Sequence, residues 1–280
     1  MGERGGGGAV NDRRRHPSRP SRGSRGRPGG APVGAGGGDL LYGPHAVIAA
    51  LENPGRRIQC VLRVEGAGEP PAALIEAARR RGVEIRKVAR RELDAMAPGA
   101  THQGVALLAG PLPVMDRRML LSRLGKIPEA LVLALDCIQD PRNLGAIIRT
   151  AEAVGVAAAI VQSDRTSPLD GAAAKTASGS LERVPVARVS NLRSMLLELK
   201  KGGFWVGALE MGGSVNPFKF ERPERFVLVV GAEGRGVGRL IRGECDYLFG
   251  LPMMGRVESL NAGVAAGIAL YALMHCGAAD

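Results

Sequence analysis

From residue 130 onward, short runs of Val, Ile, Leu and Ala alternate with helix-length segments whose apolar residues recur every three or four positions. The runs at 131–135, 158–161, 184–187, 205–208, 226–230 and 247–250 read as strands. The segments at 144–154, 169–177, 192–200, 237–244 and 261–274 read as helices. This alternation predicts an α/β domain over residues 129–280 with a mostly parallel sheet covered by helices. Aromatics are only 3% of the chain against 45% hydrophobic residues overall, so aliphatic side chains must fill the core.

Residues 39–112 carry a second, smaller α/β pattern. Pro44 can open a helix with Val47, Ile48 and Leu51 at helical spacing, stopped by Asn53-Pro54-Gly55. Strands are expected at Ile58–Val64, 83–88 and Val105–Ala109, with a helix at 71–81 ended by Gly82 and a helical turn at 92–96. Residues 113–128 then form a helical connector carrying Met119, Leu120, Leu121 and Leu124.

Residues 1–38 are Gly, Arg, Pro and Ser with almost nothing apolar, too little to offset the entropy of ordering, so the segment is expected to be disordered. It holds eight arginines against Glu3 and Asp12, more than half of the chain's formal charge of +11. Such a charge favours a polyanionic partner, because Lys and Arg that neutralise phosphates release counterions on binding. The tail is either a solvated leader or an RNA-contacting arm. Its Gly/Pro content and poor amphipathic periodicity speak against a mitochondrial presequence.

Cys60, Cys137, Cys245 and Cys276 lie far apart, with no pair at metal-ligand or redox spacing. No apolar run approaches the roughly 20 residues that span a bilayer, and the start has no apolar h-region. These features predict a soluble cytoplasmic protein with reduced thiols, no metal and no membrane contact.

Ligands of open α/β sheets gather beyond the carboxyl ends of strands, and three segments there are polar or glycine-rich. The first runs from Asp136 through Asp140-Pro141-Arg142-Asn143-Leu144-Gly145 into a helix containing Arg149. Asn143 is a candidate helix N-cap or a site residue. Arg149 lies off the apolar stripe of Leu144, Ile147, Ile148, Ala151 and Val154, beside Gly145, Ala146, Thr150 and Ala153. Those small neighbours leave room for a ligand or another chain next to a permanent charge. The second segment, Gly231-Ala232-Glu233-Gly234-Arg235-Gly236, fits neither the dinucleotide fingerprint nor the P-loop, though its glycines allow close backbone approach to a ligand. Glu233 either faces a cation or caps the next helix.

The third segment runs from Leu251-Pro252-Met253 to Ser259-Leu260-Asn261, where Ser259 or Asn261 can serve as an N-cap. Each helical glycine costs about 1 kcal/mol relative to Ala, so Gly263 and Gly267 imply another backbone packed closely on that face, in a core or a dimer. The stretch is too short for a membrane dimer motif and opens with Asn261.

Together, Asp140-Pro141-Arg142-Asn143-Leu144-Gly145 with Arg149, Gly231-Ala232-Glu233-Gly234, and Leu251-Pro252-Met253 through Ser259-Leu260-Asn261 resemble the three motifs of the TrmH-like SPOUT methyltransferases. Upstream, Tyr42-Gly43-Pro44-His45-Ala46-Val47 and His102-Gln103-Gly104-Val105 are similar to the substrate-binding domain of the subgroup that modifies a guanosine ribose in 23S rRNA. The resemblance implies a carboxyl-terminal trefoil knot and a homodimer. It implies that S-adenosylmethionine is held by the backbone at Gly231, Leu251 and Leu260, with Met253 beside it. Asn143, Arg149, Glu233, Ser259 and Asn261 match the polar residues that the family places around the transferred methyl.

The implied reaction is 2'-O-methylation of RNA without a metal, and alignment of the reactants and removal of the hydroxyl proton are the enzyme's tasks. The family proposal makes Arg149 a general base. A guanidinium, a donor-only group, instead suits a contact to an RNA phosphate and the developing alkoxide. The competing readings are a tRNA ribose methyltransferase and a non-catalytic ribosome-associated RNA-binding protein.

Overall fold

Two sheets carry the chain. In the computed structural model, which describes Gly2 and residues 38–257 and 259–275, the first is built by β1 (Asp39–Tyr42), α1 (Pro44–Glu52), β2 (Ile58–Val64), α2 (Ala72–Arg80), β3 (Ile85–Val88), α3 (Arg90–Met96) and β4 (Val105–Ala109). The disorder expected of the basic tail therefore concerns residues that, apart from Gly2 and Gly38, lie outside the described ones. Strand order is β1-β4-β2-β3, with β4 antiparallel to both neighbours and β2 parallel to β3. Strand β1 has no counterpart in the sequence reading. Its four residues become a strand by pairing with β4, from Asp39 opposite Ala109 to Tyr42 opposite Ala106, which buries Leu40 and Leu41.

Helix α4 (Arg117–Leu124) leads to the second sheet. It comprises β5 (Ala130–Asp136), α5 (Pro141–Ala153), β6 (Ala158–Gln162), α6 (Gly171–Ala177), α7 (Ser180–Arg183), β7 (Val186–Val189), α8 (Leu192–Lys201), β8 (Trp205–Leu209), a 3-10 turn at Pro217–Lys219, β9 (Arg225–Gly231), α9 (Arg239–Arg242), β10 (Tyr247–Phe249) and α10 (Ala262–His275). The order is β10-β8-β9-β5-β6-β7 and every pair is parallel. Every residue of β5 is buried, as expected of a central strand covered on both faces. Among the described residues no helix is long and apolar enough to cross a membrane.

Several expected boundaries shift for local reasons. Helix α5 starts at Pro141 because Asp140 is its N-cap, accepting from the Arg142 amide at 2.7 Å. Asn143 is consequently inside the helix, and the N-cap reading of it is wrong. Helix α6 begins two residues later than expected, capped by Asp170, which accepts from the Ala172 amide. The strand expected at 184–187 moves to Val186–Val189, because the unforeseen α7 occupies Ser180–Arg183 after left-handed Ser178 and Gly179. Helix α9 is a single turn, shorter than the expected 237–244.

The face of α5 that carries Gly145 is covered by α6 of the same chain. A Cβ at Gly145 would stand 2.6 Å from the Ala173 carbonyl oxygen and 2.9 Å from the Ala177 nitrogen. The room that small residues leave there is filled internally, so Gly145 is not part of a dimer surface.

A buried polar joint links the sheets. Arg56, with a fully buried side chain, donates from Nη2 to Asp39 Oδ2 at 2.8 Å, and its Nε lies 3.5 Å from Glu182 Oε1. Asn53 Nδ2 donates to Glu182 Oε2 at 2.8 Å. Burial pushes the Glu182 carboxyl above the usual carboxylate range, against the opposing pull of Arg56.

Candidate functional site

At the carboxyl ends of β8, β9 and β10, three chain segments enclose a cavity of about 210 Å³. Residues 209–212 run out of the end of β8, residues 230–236 out of the end of β9, and Leu251, Met253, Ser259 and Leu260 follow β10. The glycines of the second segment are required by geometry. A Cβ on Gly231 would run into the main chain of Gly236, and Gly236 itself has φ of 64°. Buried Asp136, at the end of β5, pins the loop by accepting from the Gly238 amide at 2.8 Å.

Helix α10 brings the last segment to α5. Gly263 and Gly267 face α5: a Cβ on the first would lie 3.4 Å from Ala146 Cβ and one on the second 3.7 Å from Thr150, both ordinary contact distances. Within the chain these two glycines meet α5 at ordinary contact distance, and they also line the open groove on α10. The contact with α5 places Asn261 against Asn143. Asn261 Oδ1 accepts from the amides of Gly263 at 2.9 Å and Val264 at 3.3 Å, so this residue is the N-cap of α10. Its Nδ2 simultaneously donates to Asn143 Oδ1 at 2.8 Å and to Glu233 Oε2 at 3.3 Å. Asn143 Nδ2 completes the ring by donating to Glu233 Oε2 at 3.0 Å. Capping and site membership, alternatives in the sequence, coexist in Asn261. Glu233 caps no helix: α9 starts at Arg239, with Gly238 at the N-cap position and no side-chain cap.

The structure therefore brings Gly231, Glu233, Leu251, Ser259 and Leu260 together on one cavity, with Asn143 and Asn261 bonded to Glu233 at its edge. Arg149 is not joined to this cluster. Six residues along α5 from Asn143, it is turned about 240° around the axis, and its Nη1 donates to Ser178 Oγ at 3.3 Å. Sequence reasoning missed Glu210, which directly follows β8 and lines the cavity. A charged residue at the carboxyl end of a buried strand was the available signal. Among the described residues no group of three His, Cys, Asp or Glu is placed to hold a metal ion.

Two family models match this chain, one described as the SpoU rRNA Methylase family over residues 130–271 and one as RNA 2'-O ribose methyltransferase substrate binding over residues 40–115. The chain belongs to the SpoU rRNA methylase family. Among its relatives is the 23S rRNA (guanosine-2'-O-)-methyltransferase RlmB of Pseudomonas aeruginosa, 39% identical over 241 residues that cover 85% of this chain and 96% of that one. The RlmB of Escherichia coli K12 is 37% identical over 234 residues, 83% and 96% of the two chains. Among solved structures, the AdoMet-bound rRNA methyltransferase from Sinorhizobium meliloti superposes with a TM-score of 0.70 at 26% identity, covering 85% of this chain and 87% of that one.

Proposed function

We propose that this protein transfers a methyl group from S-adenosylmethionine to the 2'-hydroxyl of a guanosine ribose in 23S rRNA. The observation that carries the proposal is the hydrogen-bonded ring of Asn143, Glu233 and Asn261 at the edge of the cavity. The RlmB relatives, matched over nearly their whole length, support the rRNA substrate, as does the substrate-binding model over residues 40–115.

The cavity suits the cofactor. Leu209, Val230, Leu251 and Met253 offer apolar walls, and a buried oxygen of Glu210 has no hydrogen-bond partner of its own. In this reading the backbone at Gly231, Leu251 and Leu260 takes the polar edge of the adenine. When bound, S-adenosylmethionine supplies a methyl carbon on a sulfonium, so the ribose oxygen gains a C–O bond, sulfur keeps the C–S electron pair, and the hydroxyl proton must leave. The Asn143–Glu233–Asn261 ring is pre-organised, each member holding the next, which suits it to orient the hydroxyl without reorganisation cost. The Glu233 carboxylate places negative charge near a cationic donor. Ser259 offers a further hydroxyl at the cavity wall. Arg149, turned away from the ring within its own chain, is assigned to an RNA phosphate, a role that suits a planar guanidinium donor. None of these roles needs a metal.

The same proposal includes a cytoplasmic homodimer and a trefoil knot over the carboxyl-terminal segments, within a 129–280 catalytic domain joined by the 113–128 connector to the 39–112 RNA-binding domain. The outer face of α10 supports the dimer, with Val264 52% exposed and Tyr271 45% exposed beside an open groove. The match to the SpoU rRNA Methylase family over residues 130–271 supports the knot. The deciding experiment maps 2'-O-methylation on cellular rRNA and tRNA with and without this protein. Loss of one guanosine mark in 23S rRNA is expected; an unchanged rRNA map with a lost tRNA mark would move the substrate to tRNA.

A further inference from the structure

Glu210 is pinned by its main chain and unsatisfied in its side chain. Its amide donates to the Phe249 carbonyl at 2.9 Å, fixing the residue between the ends of β8 and β10. Its side chain is 17% exposed, with Oε1 3.9 Å from Arg242 Nη1 and Oε2 buried without any hydrogen-bond partner. A buried acceptor left in this condition is destabilising and calls for an explanation. Gly236 packs directly against this carboxylate, and a Cβ there would crowd Oε2 at 3.2 Å. The other carboxylate on this cavity, Glu233, already accepts from the amides of Asn143 and Asn261.

We propose that Glu210 is the residue that reads the ribose cis-diol of the methyl donor, accepting hydrogen bonds from its 2'- and 3'-hydroxyls. The inference rests on the assignment of this cavity to S-adenosylmethionine. The adenine edge alternates donors and acceptors, which neutral backbone matches and a carboxylate, being acceptor-only, does not. The diol presents two hydroxyl donors on adjacent carbons, a set that an acceptor-only group can take without repulsion. The remaining donor, the ammonium of the methionine part, lies past the sulfonium, and methyl transfer at the Asn143–Glu233–Asn261 ring puts that end of the cofactor beside Glu233. Glu210 is then a binding and specificity residue, and its unsatisfied oxygen in the ligand-free protein is stability given up for binding.

Calorimetry on the full chain tests this with three ligands: S-adenosylmethionine, S-adenosylhomocysteine, and 5'-methylthioadenosine, which has the ribose but neither sulfonium nor ammonium. Glu210→Ala is expected to weaken all three by the same factor, about tenfold to a hundredfold, the range of a hydrogen bond to a charged group. Glu210→Gln, which keeps the shape and one acceptor, should lose less. The 3'-deoxy form of methylthioadenosine should bind wild type more weakly than its parent, and the Glu210→Ala protein nearly equally to it. Unchanged methylthioadenosine affinity in Glu210→Ala, with a loss confined to the two ligands that carry the amino acid, would reassign Glu210 to the ammonium and overturn the proposal. A 3'-deoxy penalty that persists undiminished in Glu210→Ala would overturn it equally. Melting of the ligand-free variants gives a second readout, expected at or above wild type, whereas a marked drop would make Glu210 a structural partner of Arg242. Wild type that binds none of the three ligands would overturn the cofactor assignment itself, and this inference with it.

Discussion

The joint between the two sheets and the ring at the cavity edge are both built on a glutamate that accepts from asparagine amides. Glu182 accepts from Asn53, and Glu233 accepts from Asn143 and Asn261. Their surroundings separate them. Glu182 has a side chain only 2% exposed, faces the wholly buried Arg56, and pays for burial with a raised pKa. Glu233 is exposed at the edge of an open cavity and is held by neutral amides. The same parts thus serve as an internal clamp where water is excluded and as a substrate-facing frame where it is not. What decides between the two is solvent access, since breaking a buried charge pair strands its partner in a low-dielectric interior.

The largest expected effect follows from that difference. Arg56→Ala should destabilise the protein by about 3 kcal/mol, the low end for breaking a buried pair because Glu182 can take up a proton. Urea unfolding measures this, and a loss below about 1 kcal/mol would erase the contrast between the two regions. Asn143→Ala tests the other side. Methyl transfer should fall about a hundredfold through lost positioning, while stability drops by only about 1 kcal/mol. Equal damage to folding from both substitutions would make the ring at the cavity edge another clamp.

A pH comparison sharpens the point further. Because the Glu182 pKa is raised, its contribution to stability is present below the ordinary carboxylate pKa and is lost as pH rises through the raised value. Glu152 on α5 is the opposite case. Its pKa is lowered, chiefly by the hydrogen bond from Arg183 and also by that from Ser180, so its contribution holds above the ordinary value and is lost as pH falls through the lowered one. Melting temperatures of Glu182→Gln relative to wild type should therefore rise between mildly acidic and neutral pH, and those of Glu152→Gln should fall. Parallel trends would contradict the burial argument. The smallest effect is expected at a second contact between the sheets, where Lys175 Nζ donates to Gln103 Oε1 at 3.0 Å near the surface. Lys175→Met should change stability by less than about 0.5 kcal/mol in the same unfolding assay, showing that burial, not position at the joint, gives Arg56 its weight.

Much of this molecule was legible in the sequence. The strands Ile58–Val64 and Val105–Ala109 fall where alternation placed them, and the runs at 131–135 and 226–230 lie within β5 and β9. The three polar segments after strands do converge, and Gly231, Glu233, Leu251, Ser259 and Leu260 share a cavity. These features depend on each element's own pattern of burial, which side-chain periodicity records directly. Contacts between elements carry no such local signal. Strand β1 exists because β4 lies beside it, α6 fills the face of Gly145 that small residues left open, and Arg149 turns to Ser178 rather than to Asn143. Helix α10 packing on α5 turns two separate asparagines into one ring with Glu233, across more than a hundred residues of chain. The unsatisfied oxygen of Glu210 is likewise a property of the folded neighbourhood, because whether a buried acceptor finds a donor depends on which backbone and side chains the fold delivers to it.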